Sequence, residues 1–201
     1  MKLTERDMKI LRFINEFGFC EMPQIEKRFG MKKPRCYQVI RRLIDAKLIT
    51  HQRIFYGRHG VLYLTKQGAA CTDLPPIKGI AKDSYIHQLT VIDIHTILRE
   101  RFIDSSWLSE RRIRYEKFMD GIGKEGFHLP DAILIDPNFG QIAIEVELTM
   151  KSKKRLEDIL WDYMLHKDIK EVWYYCAPDI VNKVAKIADK MKRISVIPLA
   201  A

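Results

Sequence analysis

Two strand-like runs, Leu48–Ile54 and Val61–Thr65, flank the glycine-bounded stretch Tyr56-Gly57-Arg58-His59-Gly60, and three helix-patterned segments precede them. A glycine-bounded tip between such runs is the pattern of a hairpin. Three short helices followed by a hairpin have few compact solutions, because no short helix is stable alone and each must bury its apolar face on the others.

The helices follow from spacing and caps. Thr4 with Asp7 three residues on has the form of a capping box, and Met8, Leu11, Ile14 and Phe17 recur at helical spacing up to about Glu16, before Gly18. The spacing predicts a second helix over Pro23–Phe29, burying Ile25 and Phe29 and stopping at Gly30. A third is expected from Lys33 or Pro34, a favoured first-turn residue, to Ala46. At about 100° per residue, Cys36, Val39, Ile40, Leu43 and Ile44 fall on one side of it, and Arg35, Gln38, Arg41, Arg42 and Asp45 on the other.

Charge gives that outward side a meaning. The formal net charge is +9, and it is not spread evenly: residues 1–68 hold 15 Lys and Arg against 6 Asp and Glu, the remainder 20 against 20. An excess confined to one segment implies an anionic partner, either nucleic acid or an anionic membrane surface; a merely solubilising basic face is the bland counterpart. Three helices with a turn between the second and third, then a hairpin, form a winged helix-turn-helix, whose third helix enters the major groove. Arg35, Gln38 and Arg42 are expected to face base edges, with Arg41 on the same stripe. Lys32 and Lys33 would meet phosphates, and Arg58 at the hairpin tip would reach the minor groove or the backbone. A winged helix used for protein contacts would instead show exposed apolar side chains on its third helix.

Other classes are set aside by composition. No run approaches the roughly 18 apolar residues of a membrane span, and the opening MKLTERDMKI is charged where a signal peptide carries its apolar region. A cytoplasmic location with no membrane partner is the expectation. Cys20, Cys36, Cys71 and Cys176 form no CxxC or Cys/His cluster, so they read as reduced, mostly buried thiols.

The segment 69–83, with two prolines and a glycine and no periodicity, reads as a linker between a domain over 1–68 and a second over 84–201. Asp83-Ser84 caps a long helix to about Phe102; Trp107–Phe118 reads as a strand; Ala132–Ile135 and Gln141–Thr149 form a hairpin about Asp136–Gly140. Along the return strand Ile142, Ile144, Val146 and Leu148 share one face, and Ala143, Glu145 and Glu147 the other, outward one. A helix over Ser152–Lys167, a strand over Val172–Cys176, a helix over Pro178–Met191 and a strand over Ile194–Leu199 complete an αβββαβαβ order. The fold class is α/β, or α+β overall.

That order resembles the core of the restriction-endonuclease-like fold. Pro130-Asp131 at one strand start and Glu145-Val146-Glu147 in its neighbour resemble the PD-(D/E)xK nuclease motif, with Glu147 where the motif has lysine. The wider pattern is a winged helix, a helix with His87, Trp107 with Glu110, His128-Leu129-Pro130-Asp131, and IEVELT before the basic KSKKRLEDIL. Over nearly the whole chain it resembles the replication-relaxation family of plasmids and other mobile elements. The resemblance implies a double-stranded DNA-binding protein tied to plasmid replication, relaxation or transfer, with homodimer contacts and plasmid replication or transfer proteins as further partners.

The motif leaves the second domain open to two readings. As a nuclease it would hold Mg2+ or Mn2+ on Asp131 and Glu145, with Glu147 completing the shell, Glu110 more distant, and a displaced lysine from Lys151, Lys153 or Lys154. His87 and His128 would serve as base or ligand, or else are ordinary satisfied residues. As a non-catalytic domain, the carboxylates simply pair with the basic helix start and need no metal. A transcriptional repressor with a C-terminal dimerisation domain is the third alternative. Trp107, Trp161 and Trp173 read as core or interface residues.

Overall fold

The computed structural model describes residues 2–120 and 128–199 of a mixed α/β chain. It separates into two compact units, Met1–Ile97 and Leu98–Ala201.

The first unit opens with α1 (Glu5–Phe17), then β1 (Phe19–Glu21), α2 (Met22–Phe29), α3 (Arg35–Asp45), β2 (Ile49–Gln52), β3 (Val61–Leu64) and α4 (Lys66–Ala69). The Thr4–Asp7 capping box forms as the sequence predicts: the Thr4 hydroxyl accepts from Asp7 N at 3.2 Å, and the Asp7 carboxylate accepts from Thr4 N at 2.9 Å. Gly18 and Gly30 end α1 and α2 with positive φ, Gly30 in the left-handed region glycine enters without a Cβ penalty. The inward face of α3 buries Cys36, Val39, Ile40 and Leu43, as its spacing requires. A short strand, β1, was not expected; it pairs antiparallel with β3, so the sheet runs β1-β3-β2.

The stretch read as a linker belongs to this unit. Asn15, buried on α1, donates to the Thr72 hydroxyl and to the Leu74 carbonyl, both at 2.6 Å, and Leu74 is buried. The long helix α5 (Tyr85–Arg101) contains the division between units, so most of it packs with the first. Gln24 on α2 donates to Leu89 O at 2.9 Å, and Tyr85 donates its hydroxyl to Glu21 at 2.5 Å.

The second unit holds β4 (Ser106–Ser109), α6 (Glu110–Met119), β5 (Ala132–Asp136), β6 (Gly140–Glu147), α7 (Lys153–Leu165), β7 (Ile169–Cys176), α8 (Val181–Ala188) and β8 (Ile194–Pro198). The Trp107–Phe118 strand is corrected: only its start is β4, and the Arg/Glu run is helix α6. Ser109 caps α6 by accepting from Arg112 N at 3.1 Å, and Glu110–Arg114 and Arg112–Glu116 pair across one helical turn. Those pairs form only at helical spacing, which is why a charged run without alternation folds this way. The observed order is therefore αβαββαβαβ.

The sheet runs β4-β5-β6-β7-β8, antiparallel across the first three strands and parallel across the last three. Helices α7 and α8 bury one face, where Leu156, Leu160, Tyr163 and Val184 meet Ala143, Val172, Tyr174 and Cys176. The opposite face of β6 buries Ile142, Ile144 and Val146. A central strand covered on both sides leaves no outward face, and the expectation that Glu145 and Glu147 point to solvent is corrected: both are buried. The four cysteines are free thiols, three of them buried. Among the described residues no helix is long and apolar enough to cross a membrane.

Candidate nucleic-acid interface and buried carboxylates

On the outward side of α3 and just before it, Lys32, Lys33, Arg35, Gln38 and Arg41 are all exposed. Arg41 lies 3.9 Å from Asp45, a contact between two exposed groups that holds neither firmly. Lys33 Nζ stands 5.4 Å above the Tyr37 ring, and Tyr37 is itself exposed on this side.

Two of the residues expected here, Arg42 and Arg58, have acidic partners and stay partly exposed. Arg42 donates to Asp7 at 2.5 Å, and Asp7 is fully buried. One turn beyond Gln38, the Arg42 guanidinium meets the capping carboxylate of α1 while the side chain stays partly exposed. Burial acts to raise the Asp7 carboxyl, but the Thr4 hydrogen bonds and the Arg42 charge outweigh it and hold the group below the usual carboxylate range. Arg58 lies 3.7 Å from Glu21 and 5.5 Å from the centre of the Tyr85 ring, which draws the tip arginine back onto its own unit. Sequence reasoning did not single out His51, Arg53 and His59, which the β2–β3 hairpin sets opposite α3. Two histidines and an arginine scattered over a strand and its turn give no signal until the hairpin register is known.

In the second unit, Asp131, just before β5, accepts from Val146 N on β6 at 2.8 Å. Glu145, in mid-β6, accepts from His128 Nε2 at 2.7 Å and from the Tyr163 hydroxyl of α7 on the same oxygen. Glu147 pairs with Lys151 just ahead of α7. Burial pushes the Glu145 carboxyl above the usual range, and the bonds from His128 and Tyr163 moderate that rise without cancelling it. Burial disfavours a charged imidazole at His128, yet the facing Glu145 carboxylate outweighs it and the net shift is upward. Tyr163 is raised first by burial and then by the Glu145 charge, so it stays a donor.

The fold brings Asp131, Glu145, Glu147 and Lys151 together about the start of β5 and the end of β6, and His128 joins them. It does not bring all of the other candidates. Lys153 is exposed and lies 3.7 Å from Glu157, Lys154 is exposed, and His87 lies on α5 within the first unit; Glu110, by contrast, donates its backbone N–H to Asp131 O at 2.9 Å, while its carboxylate pairs with Arg114. Among the described residues no three His, Cys, Asp or Glu side chains form a group able to hold a metal ion. Val146 N, His128, Tyr163 and Lys151 each engage one oxygen of these carboxylates. No step through an Mg2+ or Mn2+ ion is derived. Tyr163 was missed because a tyrosine in a helix signals core; the short run to a buried glutamate appears only when α7 lies over β6.

No model of a known protein family matches the chain, and a search of curated proteins finds no match to it.

Proposed function

We propose that the chain is a double-stranded DNA-binding protein of a plasmid or other mobile element, acting in replication, relaxation or transfer or in its regulation. Its first unit is read as a winged helix-turn-helix with α3 as recognition helix and β2–β3 as wing. Its second is read as a restriction-endonuclease-like domain in a non-catalytic role, of the kind found in the replication-relaxation family. The observation that carries the reading is the exposure of Lys32, Lys33, Arg35, Gln38 and Arg41 beside a helix whose other face is buried. Arg suits guanine, Gln suits adenine and the lysines suit phosphates, so these five groups divide into base-reading and backbone-holding contacts.

Duplex binding measured against salt tests it. The logarithmic slope should be several units, about 0.9 per phosphate contacted. Arg35→Ala with Gln38→Ala should lower preference for the bound site while leaving the slope nearly intact, and Lys32→Ala with Lys33→Ala should reduce the slope. A flat salt response ends the proposal. The non-catalytic reading is supported by carboxylates already satisfied by protein donors, and it expects no nicking of supercoiled plasmid in Mn2+ above that of Asp131→Ala.

A further inference from the structure

A cleft of about 520 Å3 opens within the first unit between α3 and the β2–β3 hairpin, along the border of the inward and outward sides of the helix. Its inner lining is apolar: Ile40 and Leu62 are buried, and Met22 and Ile44 stand beside them. Its rim is cationic, with exposed Arg41, Arg53 and Arg58. His51 and His59 complete the hairpin side, and among the described residues none that lines the cleft is acidic. The hairpin wall is closely fitted, since a Cβ at Gly60 would stand 2.1 Å from His51 Nε2.

Duplex DNA by itself leaves part of this arrangement unmatched. Phosphates suit the guanidinium rim, but an apolar floor offers a phosphate backbone no partner. The volume is also that of a small-molecule site, larger than a base edge fills. A ligand that matches both parts has an apolar body for the floor and one anionic group for a bidentate arginine contact. We propose that this cleft binds a small amphipathic organic anion, such as an aliphatic or aromatic carboxylate, and that its occupancy excludes duplex from α3. The exclusion rests on the DNA reading above, because Gln38 and Arg41 line the cleft and lie on the side of α3 assigned to DNA; the site itself does not depend on it.

The test uses the full chain and the fluorescent sulfonate 8-anilinonaphthalene-1-sulfonate. The dye should bind saturably at one site. Octanoate should displace it, whereas octanol, which lacks the charge, and acetate, which lacks the tail, should do so only at far higher concentration. Arg53→Gln and Ile44→Gln should each weaken the dye about tenfold or more, the loss expected from one charge-assisted contact or one apolar wall; thermal melting checks that each variant is folded, and Arg53, being exposed, serves if Ile44→Gln is not. Labelled duplex should be released by octanoate. Dye binding unchanged in folded Arg53→Gln, or no saturable binding, overturns the site. Duplex that stays bound at saturating octanoate overturns the exclusion. Should the wild-type chain bind no duplex, the DNA reading fails, and the site is then decided by the dye and Arg53→Gln alone.

Discussion

Arg42 on α3 and Asp7 in the first turn of α1 meet at 2.5 Å, joining two helices at a carboxylate that has no exposure to solvent. The contact does three things at once. It adds a charged donor to an Asp7 carboxylate already held by the Thr4 capping box, fixes the start of α1 against the last turn of α3, and ties one arginine of the polar stripe to a buried acid. Breaking the pair leaves a buried charge short of a partner, although Thr4 still serves it and the arginine is partly solvated. Arg42→Ala should therefore cost about 1–2 kcal/mol in urea denaturation, while Arg35→Ala, on the exposed side, should change stability by less than about 0.5 kcal/mol. Equal losses from the two would show that Arg42 holds nothing together.

The same contact sets an acid limit. The Asp7 carboxyl titrates below its unfolded value, so its contribution is present above the usual carboxylate range and is lost as pH falls through the depressed folded value. In the Arg42→Ala protein that loss should begin at higher pH, read as an acid unfolding midpoint displaced upward.

His128 carries the opposite sign. Its folded pKa is raised by Glu145 against the effect of burial, so its contribution is full below the free-imidazole value of about 6.5 and disappears as pH rises through the elevated folded value. Its ring protons, followed by NMR, should titrate above 6.5, and Glu145→Gln should bring the midpoint down. A midpoint at or below the free value in the wild-type chain would mean that the 2.7 Å contact is not a charged pair.

Gly68 in α4 has no room for a side chain, because an added Cβ would stand 2.0 Å from Leu48 O, a backbone atom that cannot step aside. Gly68→Ala should destabilise the first unit by about 2–4 kcal/mol. Gly79→Ala, where a Cβ meets nothing within 4 Å, is the matched control and should be close to neutral.

Arg193 bonds four carbonyls at and beyond the end of α7: Tyr163 O at 3.1 Å, Met164 O at 2.6 Å, His166 O at 3.2 Å and Ile169 O at 2.9 Å. It acts as a side-chain cap for a helix that ends without basic residues in its last turn. Arg193→Ala should cost about 2–3 kcal/mol, and Arg193→Lys should recover little of it, since an ammonium cannot span four acceptors. Full rescue by lysine would point to charge alone.

What could be read from the sequence is what depends on neighbours a few residues apart. The α1 cap, the glycine stops, the apolar face of α3 and the β5–β6 turn all follow from local spacing, and so do the exposed cations from Lys32 to Arg41. Tertiary structure decided everything that depends on what lies across a contact. The sequence shows Arg42 on a polar stripe, but only the packing of α3 against the start of α1 gives it the buried Asp7 as a partner. Alternation makes Glu145 and Glu147 half of an amphipathic strand, but the second buried face of β6 encloses them and supplies His128, Tyr163 and Lys151 as partners. Periodicity reports which side chains share a face; it carries no information about how many faces the fold will cover, because that depends on elements far away in the chain.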